Sequence, residues 1–187
     1  MQIIEWTEFV KNGFTAKPVS MTVGIFDGVH RGHQELIKKI VLHNADYIPA
    51  VVTFRQNHKI QSFKKQNNPI LSFQERLEIL EKMGIKIIIA VDFTKKFKCM
   101  SGIEFLEILL KRGNLGFFAI GSDFRCGCRL DTGAEEIQNF FAQHNIPIEI
   151  IPQVMEGALP VSSSRIRSAI ADGDCLLAKK MLNHYIC

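Results

Sequence analysis

Apolar runs typical of buried β-strands alternate along this chain with amphipathic runs typical of α-helices. The strand-type runs lie at 21–26, 47–54, 85–93, 116–121 and 146–152. Parallel neighbours in a sheet need a crossover connection, usually a helix, so this alternation predicts βαβ units. The runs are continuously apolar, as expected for strands that are covered on both sides. We therefore predict an α/β fold with a parallel sheet of about five strands and helices on both of its faces.

Several helix starts are also marked in the sequence. A Ser or Thr followed three residues later by Glu predicts a capping box, in which each side chain accepts a hydrogen bond from the other residue's backbone N–H. Such pairs occur at Ser72 and Glu75, at Ser101 and Glu104, and at Thr132 and Glu135. Two short helical patterns follow the last strand. We predict one domain over residues 1–187, with a short helical appendage at about 163–187.

Composition and charge argue against several classes of protein. The 187 residues carry 23 basic and 19 acidic side chains, a formal net charge of +4, which suits an anionic ligand but is too small to indicate nucleic-acid binding. Five cysteines with irregular spacing and no CxxC pair indicate reduced thiols. The N-terminus lacks the apolar core of a signal peptide, and no run approaches the roughly 18 apolar residues of a membrane span. We expect a cytoplasmic protein that binds neither nucleic acid nor membrane.

Polar segments rich in glycine or serine follow four of the predicted strands. They are GIFDGVHRGH at 24–33, Phe54 with the basic stretch 55–69, GSDFRCG at 121–127 and PVSSSRIRS at 160–168. In an open parallel sheet, ligands bind beyond the carboxyl ends of the strands. The convergence of these segments on one rim predicts a ligand site there. A loop as long as 55–69 usually has a function or is disordered.

The first of these segments has the features of a phosphate site. Gly28 and Gly32 allow tight turns and a close approach of the backbone to a ligand. The helix that follows presents unpaired N–H groups and the positive end of its dipole, which attract phosphate. His30 and His33 are three residues apart near that helix start, so both can face one ligand and donate to phosphate oxygens. We expect both imidazoles to be solvent-accessible in a cleft. The alternative is an ordinary glycine-rich turn with an incidental histidine.

A zinc site at the same segment is a second interpretation, and several observations argue against it. Asp27, His30 and His33 have side chains that bind zinc, but no cysteine lies near them in sequence. Both histidines fall at a predicted helix N-terminus, where the dipole disfavours a cation. Cys126 and Cys128 form one isolated CxC pair, which is more often two unrelated thiols than a ligand pair. We therefore predict no protein-bound metal.

The segment SSSRIR at 162–167 is a further candidate for phosphate binding. Any of its serines can cap the helix that begins near Arg165. Arg165 and Arg167 are two residues apart, so on a regular helix they would point in different directions, whereas in a loop both could serve one triphosphate. The alternative is a capped, basic surface helix.

Five blocks of the sequence resemble the FAD synthetase family, and most closely the FMN adenylyltransferase module of the prokaryotic bifunctional riboflavin kinase/FAD synthetase. The blocks are VGIFDGVHRGHQELI at 23–37, VVTF at 51–54, ILSFQERLEIL at 70–80, AIGSDFRCG at 119–127 and LPVSSSRIRSAIADGD at 159–174. An HxGH element and a serine/arginine segment also mark the wider nucleotidylyltransferase superfamily. The resemblance implies a Rossmann-like nucleotidylyltransferase fold, ATP and FMN as substrates, FAD and pyrophosphate as products, and Mg²⁺ as the metal that accompanies ATP.

The resemblance also implies roles for individual residues. His30, His33 and Arg165 would be catalytic, with the two histidines on the phosphates of ATP. The implied ATP-binding residues are Gly24, Phe26, Asp27, Gly28, His30, His33, Ser163, Ser164, Arg165 and Arg167, the last four in a flexible phosphate loop. The implied flavin-binding residues are Phe54, Asn57, Asp123, Phe124 and Arg125. The phosphate of FMN, largely dianionic near pH 7, would attack the α-phosphorus of ATP in line, so no strong general base is required.

Three departures from the family pattern bear mainly on the acceptor. After VVTF the family normally has an acid and then a proline–histidine–proline element, whereas this chain has Arg55, Gln56, Asn57 and His58, without the rigidity that prolines give. Cys126 stands where an aromatic residue is usual, which removes apolar surface. The sequence contains no riboflavin kinase domain, so we expect a separate riboflavin kinase to supply FMN.

Two other functions stay open beside FMN adenylyl transfer. One keeps the fold and the chemistry but uses another small phosphate monoester as the acceptor. The other is a nucleotide- or flavin-binding module without efficient turnover. The altered segment 55–58 favours these two functions, whereas the intact FDGVHRGH and SSSRIR segments favour catalysis.

Overall fold

The computed structural model describes residues 1–13, 17–55 and 68–183 of the chain. The strands are β1 (Gln2–Glu5), β2 (Val19–Val23), β3 (Ile48–Phe54), β4 (Ile87–Val91), β5 (Leu115–Gly121), β6 (Arg125–Cys126), β7 (Thr132–Gly133), β8 (Ile148–Ile151), β9 (Met155–Glu156) and β10 (Leu159–Pro160). The helices are α1 (Trp6–Asn12), α2 (Arg31–Leu42), α3 (Phe73–Lys82), α4 (Lys95–Lys98), α5 (Gly102–Arg112), α6 (Ala134–Gln143), α7 (Ser163–Ala171) and α8 (Cys175–Leu182). Within these ranges no helix is long and apolar enough to cross a membrane.

Six of the strands form one sheet in the order β1-β4-β3-β2-β5-β8. Every neighbouring pair in it is parallel, so the predicted α/β fold with a parallel sheet is confirmed. The five predicted runs correspond to β2, β3, β4, β5 and β8. The sixth strand, β1, was not predicted. It has four residues and, within the described residues, lies at the edge of the sheet beside β4, so it is too short to show a clear apolar period.

Helices cover both faces of the sheet because its central strands are apolar on both sides. In β3, Ala50 and Val52 belong to one hydrophobic cluster and Val51 to another, as the two-residue period of a strand requires. The first cluster contains side chains from α1, α5 and α6, such as Phe9, Leu106 and Phe141. The second contains side chains from α2 and α3, such as Ile37, Ile40 and Leu80.

Two of the three predicted capping boxes are confirmed, at Ser72 with Glu75 and at Ser101 with Glu104. The third prediction, Thr132 with Glu135, is wrong. Thr132 belongs to β7, where it pairs with Cys126, and the N-cap of the helix is Gly133 instead. Helix α6 starts one residue later than predicted, where the carboxylate of Glu136 accepts from the backbone N–H of Gly133 (2.9 Å).

The two C-terminal helices pack against each other and against the rim of the sheet. Leu182 of α8 belongs to their small hydrophobic cluster, against which Ile70 packs. At the start of α2, Arg31 pairs with Glu156 of β9, and the side chain of Gln34 donates to the carbonyl of Leu182 (2.7 Å). The Gln34 contact attaches α8 to the first turn of α2, where the sequence predicts the phosphate site, and the Arg31 contact attaches β9 to it.

Candidate active site

The order in which strands are added to the sheet reverses between β2 and β5. From β2 the chain adds β3 and β4 on one side, and it later adds β5 and β8 on the other side. Such a switch point leaves a crevice at the carboxyl ends of the two central strands, which is where doubly wound sheets bind ligands. The segment 24–30 follows β2 and the segment 122–124 follows β5. Two of the predicted ligand-binding segments therefore border this crevice.

The segment after β2 is a tight turn with left-handed backbone, and we call residues 24–30 the nucleotide loop, after the ligand that the family resemblance predicts for them. Phe26, Gly28 and Val29 have φ angles of 55°, 80° and 40°. Phe26 is fully buried, and a Cβ atom on Gly28 would lie 3.1 Å from a methyl carbon of Leu182. Position 28 therefore requires glycine for its φ angle and for its close contact with α8. Gly24 continues from β2, and its N–H donates to the carbonyl of Val52 (3.1 Å).

His30 is the N-cap of α2, and its imidazole is buried. Nδ1 of His30 accepts a hydrogen bond from the backbone N–H of His33 (3.4 Å), which satisfies one donor of the first helical turn. Gly32 lies in that turn rather than before it, and a Cβ atom there would be 3.3 Å from the His30 ring. The expectation that His30 is solvent-accessible is wrong, because only 7% of its surface is exposed. Since Nδ1 is an acceptor, the proton of the neutral ring lies on Nε2.

The rings of His30 and His33 stack on each other, and both are held in the neutral form. Their centroids are 3.6 Å apart and their planes differ by 16°. Burial lowers the pKa of His30 from 6.5 to about 4, against the opposing effect of the Asp123 carboxylate. Burial, aided by His30 and by the charge of Arg76, lowers the pKa of His33 well below its ordinary value. At neutral pH the pair therefore offers N–H donors without positive charge.

We expect the free energy of unfolding to fall as the pH is lowered from 6.5 towards 4. Over this range the two histidines stay neutral in the folded protein, whereas in the unfolded chain they take up protons below a pKa of 6.5. The contribution of the neutral histidines to the free energy of unfolding is therefore complete above their pKa in the unfolded chain. It decreases as the pH falls towards their pKa in the folded protein, by up to about 1.4 kcal/mol per pH unit for each histidine. Urea denaturation at steps of pH between about 5 and 7 measures this slope.

The control for this experiment is a histidine outside the site. A double variant His30→Asn, His33→Asn should lose most of the slope, whereas His144→Asn, at an exposed position after α6, should keep it. The carboxylates with lowered pKa values stay largely ionised in both states above about pH 5, so they add little in this window; they are Glu75, Glu81, Glu104 and Glu136. If the free energy of unfolding of the double variant depends on pH as steeply as that of the wild-type protein, the claim that the two folded-state histidines are neutral is wrong.

Asp27 connects the nucleotide loop to two distant segments. Its side chain accepts from the backbone N–H of Ile70 (2.9 Å) and pairs with Nη1 of Arg167 (2.7 Å). Its backbone carbonyl accepts from the hydroxyl of Ser163 (2.9 Å). The Asp27 side chain is 4% exposed and that of Arg167 is 17% exposed, so water screens this ion pair weakly. The guanidinium of Arg167 therefore binds the nucleotide loop itself.

The segment SSSRIR begins a regular helix in this structure, although the family resemblance implies a flexible loop. Ser162 is the N-cap of α7, and its hydroxyl accepts from the backbone N–H of Arg165 (3.2 Å). The guanidinium of Arg165 donates to the carbonyl of Leu159 in β10 (2.9 Å), whereas that of Arg167 donates to the hydroxyl of Ser164 (3.2 Å). The two arginines point in different directions, as predicted for a helix. Phosphate binding by this segment stays a prediction.

The residues implied for flavin binding follow β3 and β5. Phe54 ends β3, is buried, and stacks on Phe93 with 4.6 Å between ring centroids. Phe124 packs against the same hydrophobic cluster, while Asp123 is exposed and acts electrostatically on His30 across the crevice. Asn57 lies outside the described residues, as does most of the stretch 55–69.

The short β6–β7 hairpin contains the last residue implied for flavin binding. Arg125 is exposed, and its Nε donates to the carbonyl of Leu130 (3.0 Å). Burial raises the pKa of the neighbouring Cys126 to about 12, so its thiol stays protonated at neutral pH. A protonated thiol is a poor nucleophile, so we do not expect Cys126 to react as one.

Arg55 begins the altered segment 55–58 and is tied to the edge of the sheet. It forms an ion pair with Glu5 at the end of β1, and its Nε lies 3.9 Å from Oδ1 of Asp92 after β4. Its guanidinium also lies over the ring of Phe73, 5.0 Å from the centroid. The base that replaces the family's acid is therefore partnered by two acids and an aromatic ring.

Arg76 is a site residue that sequence reasoning missed. It lies on α3, is 4% exposed, and donates to the carbonyls of Ile25 in the nucleotide loop and of Phe54 at the end of β3. Position 76 shares a helix face with the buried Leu80, four residues further on. An arginine on an otherwise apolar helix face was the signal that could have revealed it, because arginine is rarely buried without a specific partner.

No group of three or more His, Cys, Asp and Glu side chains in the described part of the chain is arranged to hold a metal ion. The Mg²⁺ that the family resemblance implies stays a prediction, and Mg²⁺ is commonly held by the phosphates of ATP together with few protein ligands.

A parallel sheet with an HxGH element at its switch point defines a Rossmann-like nucleotidylyltransferase fold. The crystal structure of pantoate-beta-alanine ligase from Francisella tularensis has this fold, with a TM-score of 0.59 at 14% identity over 99% of this chain and 80% of that chain. The family model of FAD synthetase matches residues 14–165. This chain therefore belongs to the FAD synthetase family.

Longer relatives contain a module similar to this chain. The bifunctional riboflavin kinase/FMN adenylyltransferase of Escherichia coli K12 is 27% identical over 168 residues, which are 88% of this chain and 54% of that protein. The chain thus spans about half the length of this curated relative. A crystal structure described as a macrolide-efflux protein from Streptococcus pneumoniae has a TM-score of 0.86 at 28% identity, covering 100% of this chain and 61% of that one.

Proposed function

We propose that this chain is an FMN adenylyltransferase, which transfers the AMP of ATP to the phosphate of FMN and releases pyrophosphate. The observation that carries the proposal is the stacked, neutral pair His30 and His33 at the N-terminus of α2, at the switch point of the sheet. Two N–H donors beside a helix N-terminus form a site for phosphate oxygens. Membership of the FAD synthetase family supports FMN as the acceptor.

The nucleotide would bind between the nucleotide loop and α7. Its phosphates would lie over the first turn of α2, within reach of His30 and His33. Ser163, Ser164 and Arg165 would approach from the opposite side, because α7 is held against the loop by Asp27. We include α7 and α8 in a single domain with the sheet, as the helical appendage that completes this side of the site.

The reaction needs charge stabilisation rather than proton abstraction. An oxygen of the FMN phosphate forms a bond to the α-phosphorus of ATP, while the bond from that phosphorus to the oxygen bridging the β-phosphate breaks and pyrophosphate leaves. Charge develops on the α-phosphate oxygens and on the leaving group, where His30, His33 and Arg165 would donate hydrogen bonds. A pKa of about 4 for His30 keeps its imidazole a neutral donor at physiological pH. Mg²⁺ would enter with ATP as part of the substrate.

The flavin would bind on the side of the crevice bordered by β3 and β5. Phe54 and Phe124 belong to or pack against one apolar cluster there, which suits the isoalloxazine ring. Asp123 and Arg125 supply polar groups at the exposed edge. Asn57 completes this set of candidate residues.

A different phosphate monoester is the second candidate acceptor, and Arg55 is the observation that favours it. Its ion pair with Glu5 is specific to a base at this position, where the family normally has an acid. The FDGVHRGH and SSSRIR segments match the family pattern, so adenylyl transfer to another acceptor keeps the same chemistry.

The direct test incubates the purified chain with ATP, Mg²⁺ and FMN and follows FAD and pyrophosphate by chromatography. We expect both products in equal amounts, and no product with riboflavin, which lacks the attacking phosphate. Parallel reactions contain other small phosphate monoesters. Adenylylation of one of these without FAD formation would support the second candidate. ATP binding without any adenylylated product would instead identify a binding module and overturn both enzyme proposals.

A further inference from the structure

Arg76 joins the two segments that border the site. One amino group of its guanidinium, Nη1, donates to the carbonyl of Ile25 in the nucleotide loop and lies 3.5 Å from the hydroxyl of Thr53. The other, Nη2, donates to the carbonyl of Phe54 (2.9 Å) and lies 3.5 Å from that of Arg55. Both arms of one planar group thus bind backbone atoms at the ends of β2 and β3.

The guanidinium of Arg76 also contacts an aromatic ring. The ring of Phe73 lies 5.2 Å from it and 5.0 Å from the guanidinium of Arg55, so one aromatic ring contacts two cations. Arg55 is anchored in turn by Glu5 at the end of β1. This row of contacts ties the edge strand of the sheet to the nucleotide loop.

The charge of Arg76 also reaches the histidine pair. The groups that face His33 electrostatically are His30 and Arg76, and both lower its pKa, after the larger effect of burial. Asp27 faces Arg76, and Asp123 faces His30. Nε of Arg76 is buried and has no hydrogen-bond partner in the described part of the chain.

We infer that Arg76 is a positioning residue, whose two-armed contact fixes the separation between the nucleotide loop and the end of β3 at Phe54 and Arg55. This inference rests on the proposed function, because in-line transfer requires the attacking phosphate and the α-phosphorus at a set distance. A displacement of about 1 Å between reacting groups lowers turnover by about 100-fold. Arg76 contacts the loops rather than the reacting atoms.

Two substitutions separate the charge of Arg76 from its shape. Arg76→Lys keeps the charge but offers a single ammonium that cannot span both carbonyls, and Arg76→Met keeps the apolar stem without charge. We expect kcat for FAD formation to fall about 100-fold in both variants, with the KM for ATP changed less than about threefold. Arg112→Met removes the same atoms at an exposed position on α5 and should leave kcat unchanged.

NMR of the ligand-free protein gives a readout independent of activity. We expect amide resonances of both loops, at Asp27 and Val29 and at Phe54 and Arg55, to shift in Arg76→Lys and Arg76→Met. The pKa of His33 should rise in Arg76→Met only, because the lysine retains the charge. If wild-type protein forms no FAD, the proposed function fails while these resonances still test the role of Arg76.

Several results would overturn the inference. One is a folded Arg76→Lys variant with wild-type kcat, even if Arg76→Met fails to fold, because Arg76 would then only stabilise the fold. Another is a shift confined to one loop, because the two segments would then be positioned independently. Loss of kcat in Arg112→Met equal to that in Arg76→Met would also overturn it, since the effect would not depend on the site.

Discussion

Replacing His30 or His33 by asparagine is expected to lower kcat for FAD formation by about 100- to 1,000-fold, the usual effect of losing one preorganised donor to a developing negative charge. The variant His30→Asn is chosen because asparagine is itself a good N-cap, so helix α2 should keep its start. The asparagine side chain lacks a hydrogen-bond donor at the position that Nε2 of His30 occupies. Steady-state kinetics with FMN measures the loss, and chemical denaturation should show a stability change of no more than about 1 kcal/mol.

A second substitution at His33 distinguishes a hydrogen-bond donor from a general acid. Nδ1 of His33 is buried and unpaired among the described residues, so Nε2 is its available donor. Glutamine places an N–H near that atom but cannot titrate, and we expect His33→Gln to retain more activity than His33→Asn. The control variant His144→Asn, at the end of α6, should have the kcat of the wild-type protein. Equal losses in the two His33 variants would mean that the imidazole acts through proton transfer, contrary to the proposed mechanism.

Replacing Asp27 by alanine is expected to lower the free energy of unfolding by about 3–5 kcal/mol, the largest stability effect of any substitution proposed for this chain. The change leaves the guanidinium of Arg167 and the backbone N–H of Ile70 without their acceptor, and both are largely shielded from water. Asp27→Asn should cost less, because the amide oxygen can still accept from Ile70. Thermal or urea denaturation measures both effects.

A surface ion pair is the matched control for Asp27. Lys111 and Glu107 are 2.9 Å apart on α5, one turn from each other and mostly exposed. Glu107→Ala should change the free energy of unfolding by less than about 1 kcal/mol. A double-mutant cycle with Arg167→Met isolates the coupling between Asp27 and Arg167. A coupling close to zero would show that the ion pair does not hold the nucleotide loop against α7.

The sequence predicted the features that depend on neighbouring residues. Alternating apolar runs predicted the parallel sheet, and the glycines and histidines between 24 and 33 predicted a turn at the start of a helix. Ser72 and Ser101 predicted their capping boxes because both partners lie within one helical turn. Each of these patterns is local, so the structure that it predicts does not depend on the rest of the fold.

The features that were missed depend on contacts between distant segments. Arg76 binds the carbonyl of Ile25, 51 residues earlier in the chain, and no local pattern encodes that partner. The burial of His30 follows from its N-cap role together with the packing of other elements around it, whereas the expectation from the sequence was a solvent-accessible imidazole in a cleft. Thr132 was misassigned because its local spacing to Glu135 imitates a capping box, while pairing with Cys126 places it in a strand.

The attachment of α7 and α8 to the nucleotide loop determines when, during synthesis of the chain, this loop can reach its final conformation. Arg167 follows its partner Asp27 by 140 residues, and Leu182 follows its partner Gln34 by 148. On a ribosome, residues 24–33 emerge long before Arg167 and Leu182, which hold this segment in place. Contacts of such high sequence separation form only after a large loop of chain has closed. The predicted phosphate site therefore reaches its final form only after Arg167 and Leu182 have been made, when the strands that surround it are already available to pair.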